Sequence, residues 1–152
     1  MSWLDLTWLR CGLAVAAAGL PLLVSGLAAA QGVSRVTFEV MVSHISDRPG
    51  QIDARASKLD RKLRKEFRYQ SLRVLQSQSL SLAIDQVGSL KLPNGKQLRV
   101  RPLQVGDNGV LTAVSVEGTL DTDLRIRNGH LVVIGAQRHD DGKLVISLEP
   151  HF

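Results

Sequence analysis

The chain has 152 residues, of which 44% are hydrophobic and 22% are charged, and its formal net charge is +5. These are ordinary globular values at a length typical of one domain. No internal repeat and no low-complexity tract appears, so neither a repeat architecture nor a disordered tail is indicated.

Residues 1–30 predict a cleavable secretory signal. Residues 11–30 contain no charged side chain and follow the cation Arg10, which is the order of the n-region and h-region of a signal peptide. Small residues precede the expected cleavage point after Ala30. The same stretch is about long enough to span a bilayer, since roughly 20 apolar residues suffice, so a retained membrane anchor is the alternative.

Cleavage would leave a single β-rich domain at residues 31–152, exported to the periplasm or the extracellular space. The only cysteine, Cys11, lies in the predicted signal, so this domain would have no disulfide framework and no thiolate chemistry. It keeps 18 basic and 13 acidic residues. Outside the cytoplasm such a domain meets anionic head groups, acidic polysaccharides and acidic proteins, and we expect no nucleic-acid partner.

The first predicted element of the domain is a strand at about residues 35–45. Apolar side chains alternate with polar ones there, which is the pattern of a strand with one buried face. The apolar positions are Val36, Phe38, Val40 and Val42.

An amphipathic helix is predicted next. Its apolar stripe recurs at spacings of three and four residues, at Ile52, Ala56, Leu59, Leu63 and Phe67. Its other faces carry seven cations: Arg55, Lys58, Arg61, Lys62, Arg64, Lys65 and Arg68. These cations are candidate residues for binding an anionic membrane surface or an acidic partner. The alternative is a solvated helix face whose basic residues serve solubility and helix propensity.

From Tyr69 onward the hydrophobic period changes to two, and short strands follow one another. Four turn pairs separate the later strands: Asn94-Gly95, Asn108-Gly109, Asn128-Gly129 and Asp141-Gly142. Such pairs are strong hairpin signals because both residues tolerate positive φ. The fold class is therefore α+β, with one N-terminal strand and one amphipathic helix packed on an antiparallel meander of six or seven strands. A split into two sheets, giving a sandwich, stays open.

Catalytic and cofactor motifs are not found in the sequence. No histidine stands in a zinc-type pair, no serine has the G-x-S-x-G context, and no glycine-rich phosphate loop precedes a helix. We expect no metal and no cofactor. His139 with Asp140 and Asp141 is a candidate cation site, but a turn before Gly142 explains the same residues. Alternate serines at 77, 79 and 81 are typical of a solvent-facing strand edge.

The arrangement of the mature chain resembles small exported proteins of uncharacterised function from Gram-negative bacteria. The likeness rests on the helix with Phe67–Leu75, on residues 92–95, and on the late segment 124–135. Residues 128–135 also resemble a strand pair of outer-membrane secretins, although Ala136 stands where a second glycine would follow. These resemblances imply residence in the cell envelope and carry over no active residue.

The sequence therefore predicts a non-enzymatic binding or assembly module of the envelope, which would bind a partner protein by strand addition to a sheet edge. One alternative is a small exported hydrolase whose site forms only in three dimensions. Its candidate residues are His130 or His139 with Glu117, Asp121 or Asp123. Another alternative is a protein that associates with an anionic surface through the basic helix.

Overall fold

A computed structural model describes residues 34–152, so the predicted signal peptide and its anchor alternative lie outside the described residues. These residues fall within one compact unit. The elements are β1 (Arg35–Ser46), a 3-10 turn (Ala54–Ala56), α1 (Ser57–Leu63), β2 (Ser71–Ala83), β3 (Gly88–Lys91), β4 (Gln97–Gly106), β5 (Gly109–Val116), β6 (Leu120–Ile126), β7 (Val132–His139) and β8 (Gly142–His151).

The strands form two four-stranded sheets, which we call sheet A and sheet B. Sheet A has the order β2-β1-β8-β7 and sheet B the order β3-β4-β5-β6, and every pairing is antiparallel. The predicted α+β class, with one small helix and seven strands after it, is confirmed. The sequence left open whether the strands form one sheet or two, and the structure has two sheets.

The main core lies between the two sheets. Alternating residues of β1 supply part of one wall, and the apolar phase of β4 and β5 supplies the other. Phe38 is the largest fully buried side chain of this core. The remaining buried members are Val36, Val40, Val42, Leu82, Leu90, Leu92, Leu98, Val100, Val110, Val114, Val116, Ile126, Ile134, Leu144, Ile146 and Leu148.

The helix covers part of the opposite face of sheet A. Ala56, Leu59 and Leu63 are buried in a second apolar cluster, together with residues of β1, β2 and β8. The predicted stripe is therefore correct, but the helix is shorter than the stripe. Ile52 lies before it in an isolated bridge with Leu72, and Phe67 follows it; both still pack on the cluster because the chain holds them beside the sheet in non-helical conformations.

The Asn128-Gly129 pair does not form the predicted hairpin. It lies on the crossover from β6 in sheet B to β7 in sheet A, and these strands are not neighbours. Gly129 has φ 67° and its N–H donates to the Pro150 carbonyl at 2.7 Å. A turn pair fixes only the local reversal of the chain. The sheet that receives the next strand is decided by packing.

A β-bulge at Leu75 sets the faces of β2. The pairing with β1 passes from Val74 directly to Gln76, so Leu75 is an extra residue in the strand. Leu72 and Val74 face the helix, whereas Leu82 faces sheet B, although all three numbers are even. The bulge allows one alternating sequence to bury side chains on both faces of sheet A.

Candidate functional site

The predicted basic helix surface is largely satisfied from within the protein. Arg55 pairs with Asp53 at 2.7 Å and Arg64 pairs with Asp60 at 2.9 Å. Lys58 pairs with Glu149 and also donates to the Gly129 carbonyl. Lys62 donates to the Leu131 carbonyl at 2.7 Å. Lys58 and Lys62 thus bind the helix to β8 and to the crossover before β7.

Two carboxylates beside the helix respond to these contacts. Hydrogen bonds from the side chain and backbone of Arg55 lower the pKa of Asp53 to about 2. Burial raises the pKa of Asp60, but hydrogen bonds from Tyr69 and Arg64 outweigh it and leave the pKa below its ordinary value. Both carboxylates are therefore charged at neutral pH and hold their cations in place.

Three of the seven candidate cations have no side-chain hydrogen bond or ion pair within residues 34–152. They are Arg61, Lys65 and Arg68, and all three are exposed. Fewer cations near the helix are therefore available to an anionic partner than the sequence predicted: three instead of seven.

The residues of the hydrolase alternative lie in separate places. Glu117 is in the β5–β6 turn, and Asp121 and Asp123 lie on the exposed outer face of β6. His130 is on the crossover, where its Nδ1 lies 3.1 Å from the Asn128 carbonyl. His139 ends β7 and pairs with its neighbour Asp140 at 3.6 Å. Within the described residues, no hydrogen bond or ion pair joins either histidine to the three carboxylates.

The structure shows a histidine–carboxylate cluster that the sequence interpretation missed. His44 Nε2 lies 3.5 Å from Asp141 Oδ1 and 3.2 Å from the His139 carbonyl. Asp141 also accepts from Ser46 Oγ at 3.3 Å and pairs with Arg48 at 3.2 Å. A groove of about 720 Å³ opens beside these residues. The sequence does contain a signal for this histidine. His44 continues the alternating buried positions Val40 and Val42 of β1, so its burial could have been predicted.

This cluster lacks the geometry of a nucleophile and its base. A catalytic serine needs a hydrogen bond to the base, but the Ser46 hydroxyl donates to Asp141 and accepts from the Arg48 backbone N–H. Burial raises the pKa of Asp141. A hydrogen bond from its own backbone N–H and the charge of Arg48 together outweigh burial, and they leave this pKa below its ordinary value. The cluster therefore joins the end of β1 to the β7–β8 turn.

Asp140 and Asp141 form that two-residue turn, and Asp140 has φ 48°. Within residues 34–152, no group of three or more histidine, cysteine or carboxylate side chains is arranged to hold a metal ion. No helix in the same range is long and apolar enough to cross a membrane.

The four edge strands of the two sheets differ in how they are protected. Natural sheets guard their edges with short strands, charged residues, proline or bulges. Strand β3 has only four residues, and β6 carries Asp121, Asp123 and Arg125. Strand β7 has a bulge beside Ile134 and ends in Arg138-His139. Strand β2 has 13 residues and, from 74 to 84, neither a charge nor a proline.

One part of the β2 edge is already covered. The Leu72 N–H donates to the Gln51 carbonyl at 3.1 Å, and the Leu72 carbonyl accepts from the Asp53 N–H at 2.8 Å. The Val74 N–H reaches the Asp53 carboxylate at 3.4 Å. The segment before the bulge is therefore closed to a new strand.

Beyond the bulge the edge is open in its middle, and side chains of the same molecule cover its far end. The Ala83 N–H donates to Gln86 Oε1, and the Ser81 carbonyl accepts from Arg35, each at 2.9 Å. Backbone groups that point to one side recur at every second residue of a strand. Ser77 and Ser79 therefore direct their N–H and C=O groups away from β1, and no residue of the described chain binds them. We call residues 75–82 the open edge.

Comparison with known proteins gives no relative: no family model, no curated protein and no solved structure matches the chain.

Proposed function

We propose that this protein is a non-enzymatic binding or assembly module of the bacterial cell envelope, and that it binds by adding a strand to the open edge of β2. The observation that carries the proposal is the contrast between this edge and the other three. Strands β3, β6 and β7 are short, charged or bulged, whereas the open edge, residues 75–82, is long, uncharged and free of proline.

The open edge has the chemistry that strand addition needs. An extended segment of a partner would receive hydrogen bonds from the outward N–H groups and donate to the outward carbonyls of Ser77 and Ser79. Unpaired backbone groups at this position are the source of affinity. The side chains of Gln78 and Leu80, on the same strand, would add contacts that select the partner.

Location in the envelope is supported by the sequence features at the start of the chain. The apolar stretch 11–30, the small residues before the expected cleavage point and the resemblance to exported proteins all favour export. An exported domain of this kind would meet envelope proteins as its partners.

The test is affinity capture from the envelope fraction of the source cell, followed by mass spectrometry. Ser79→Pro removes an outward donor and Ser79→Lys places a charge on the open edge, so both should abolish capture. Ser89→Lys is the matched control, because Ser89 is an exposed serine on the edge strand β3. Thermal melts of each variant establish that the fold is intact. Undiminished capture by folded Ser79→Lys and Ser79→Pro would exclude the β2 edge as the binding site.

Association with an anionic surface is the second candidate function, and the exposed side chains of Arg61, Lys65 and Arg68 favour it. Reversal of these three charges to glutamate should abolish binding to vesicles that contain anionic lipid. Reversal of Arg55 and Arg64, which are already paired, is the matched control and should have a smaller effect. Binding through surface cations falls steeply with added salt. Salt-insensitive binding, or no binding, would exclude this function.

A further inference from the structure

The groove of about 720 Å³ beside His44 lies on sheet A, at a place that sheet B does not cover. All of its lining residues come from β1, from β2, from residues 48–54 and from Asp141 in the β7–β8 turn. We propose that this groove binds an acidic sugar, namely a uronic acid residue of an anionic polysaccharide. The site is separate from the open edge, and the inference goes beyond the proposed function without resting on it.

The floor of the groove is the core-facing side of sheet A, continued past the end of the core. Along β1 this side is apolar at Val42 and becomes polar at His44 and Ser46. On β2, Arg73 lies opposite His44 and Ser71 lies opposite Ser46. Opposite residues of an antiparallel pair have their side chains on the same face, with Cβ atoms about 4.5–5.5 Å apart. The groove therefore has an imidazole, a guanidinium and two hydroxyl groups side by side.

One positive charge in the groove is not neutralised. Arg48 pairs with Asp141 at 3.2 Å and Arg55 pairs with Asp53 at 2.7 Å, so both carboxylates that line the groove already have a cation. Arg73 is exposed, and its guanidinium has neither a hydrogen bond nor an ion pair with any residue in the range 34–152. A guanidinium binds a carboxylate through two parallel hydrogen bonds. The groove is therefore suited to a ligand with a single carboxylate.

Other polar groups of the groove are acceptors that suit hydroxyl groups. His44 is only 6% exposed, and its Nε2 lies 3.2 Å from the His139 carbonyl. A carbonyl only accepts, so Nε2 carries the ring proton, and the neutral ring has its lone pair on Nδ1. No residue of the described chain binds this Nδ1. The Asp141 carboxylate lines the same groove. A ligand with hydroxyl groups beside its carboxylate would donate to both acceptors.

These features distinguish among the anions that an exported domain meets. A phosphate head group spreads more charge over several oxygens, and Asp53 and Asp141 would repel a second negative charge. An acidic side chain of a protein has a carboxylate but no donor next to it. A uronic acid has one carboxylate and several hydroxyl groups on one ring, and the carbon atoms of that ring would pack on Pro49 and Ile52. Small-molecule sites have volumes of about 300–1,000 Å³, a range that includes this groove.

The experiment is an NMR titration of the isotope-labelled protein, made from the full chain, with D-glucuronate and with D-galacturonate. At least one of these uronates should give saturable shifts of backbone amides, confined to the residues that line the groove. D-Glucose and D-galactose lack the carboxylate and should bind about tenfold more weakly or not at all. Inorganic phosphate is the probe for a phosphate ligand, and it should bind more weakly than the uronate.

Two variants test the groups that select the ligand. Arg73→Gln removes the free cation and should weaken uronate binding by about tenfold or more. His44→Gln keeps a donor for the His139 carbonyl but loses the free acceptor, so it should also weaken binding. Arg61→Gln is the matched control, because Arg61 is an exposed arginine on the helix, on the opposite face of sheet A. The amide spectrum of each free variant establishes its fold, and Arg73→Gln decides alone if His44→Gln does not fold.

Several results would overturn the inference. They are the absence of saturable shifts with both uronates, shifts that lie outside the groove, and binding that Arg73→Gln leaves unchanged. Equal binding of the neutral sugars would also overturn it, because the free cation would then play no part. Tighter binding of phosphate than of either uronate would exclude the acidic sugar and assign the groove to a phosphate.

Discussion

Replacement of Thr112 by valine should stabilise the domain. Thr112 is on β5 with 0% of its surface exposed, and its Oγ1 has no hydrogen-bond partner. It points into the main core in the same phase as Val110 and Val114. A buried polar group without a partner costs about 1–3 kcal/mol. Valine has nearly the same shape, so Thr112→Val removes this cost without disturbing the packing.

We therefore expect Thr112→Val to raise the free energy of unfolding by about 1–3 kcal/mol. The assay is urea denaturation of both proteins, where the midpoint should rise and the slope should stay the same. Thr122→Val is the matched control. Thr122 lies opposite Val114 on β6, on the same face of sheet B, but it is only half-buried, so its hydroxyl reaches water. Its replacement should change stability by less than about 0.5 kcal/mol.

An unchanged or lowered stability of Thr112→Val would refute the reasoning. It would mean that the buried hydroxyl is satisfied in solution, and that removing it loses a hydrogen bond.

Three further predictions concern the packing that surrounds the candidate sites. Leu59→Ala removes a fully buried side chain between α1 and sheet A and should lower the free energy of unfolding by about 2–5 kcal/mol in the same urea assay. Gly142→Ala places a Cβ against the Ile45 carbonyl and should cost about 1–3 kcal/mol. Asp53→Asn should flatten the acid limb of stability measured against pH. The pKa of Asp53 is lowered in the folded state to about 2, so its contribution is present above the ordinary carboxyl pKa and is lost as pH falls toward 2.

Each of these has a contradicting outcome. A Leu59→Ala protein as stable as wild type would show that the helix does not rest on sheet A. Gly106→Ala is the control for Gly142→Ala, because its added Cβ would meet only the Arg125 side chain at 3.9 Å, and equal costs at the two glycines would contradict the predicted collision. An acid limb of unchanged steepness in Asp53→Asn would show that Asp53 has an ordinary pKa in the folded protein.

The sequence predicted those parts of the fold that depend on neighbouring residues. Alternation in β1 and the turn pairs at residues 94–95, 108–109 and 141–142 act over a few residues, and the corresponding strands pair as predicted. The Asn128-Gly129 pair has the same local signal, but the partner of β7 is β8 and not β6. The partner of β7 depends on which sheet buries the apolar face of that strand. A short stretch of sequence carries no information about this long-range packing.

The open edge was predictable only in part. The alternating serines of β2 indicated an exposed strand, and the lack of charge could be read from the sequence. Its limits could not be predicted, because they depend on the bulge at Leu75 and on the cover that residues 51–53 provide. The burial of His44 could be read from the alternation in β1, but its contact with Asp141 could not, since that contact joins β1 to a turn almost a hundred residues later.

The position of β8 has a consequence for how the protein acquires its fold. Strand β8 lies inside sheet A between β1 and β7, and the Ser147 hydroxyl bonds the Met41 carbonyl across 106 residues of chain. Sheet A cannot close until nearly all of the described chain has been synthesised. Contacts of such long range make folding slow. Strand β1 can therefore pair with β2 early, but its other edge stays without a partner strand until β8, the last strand, has been made.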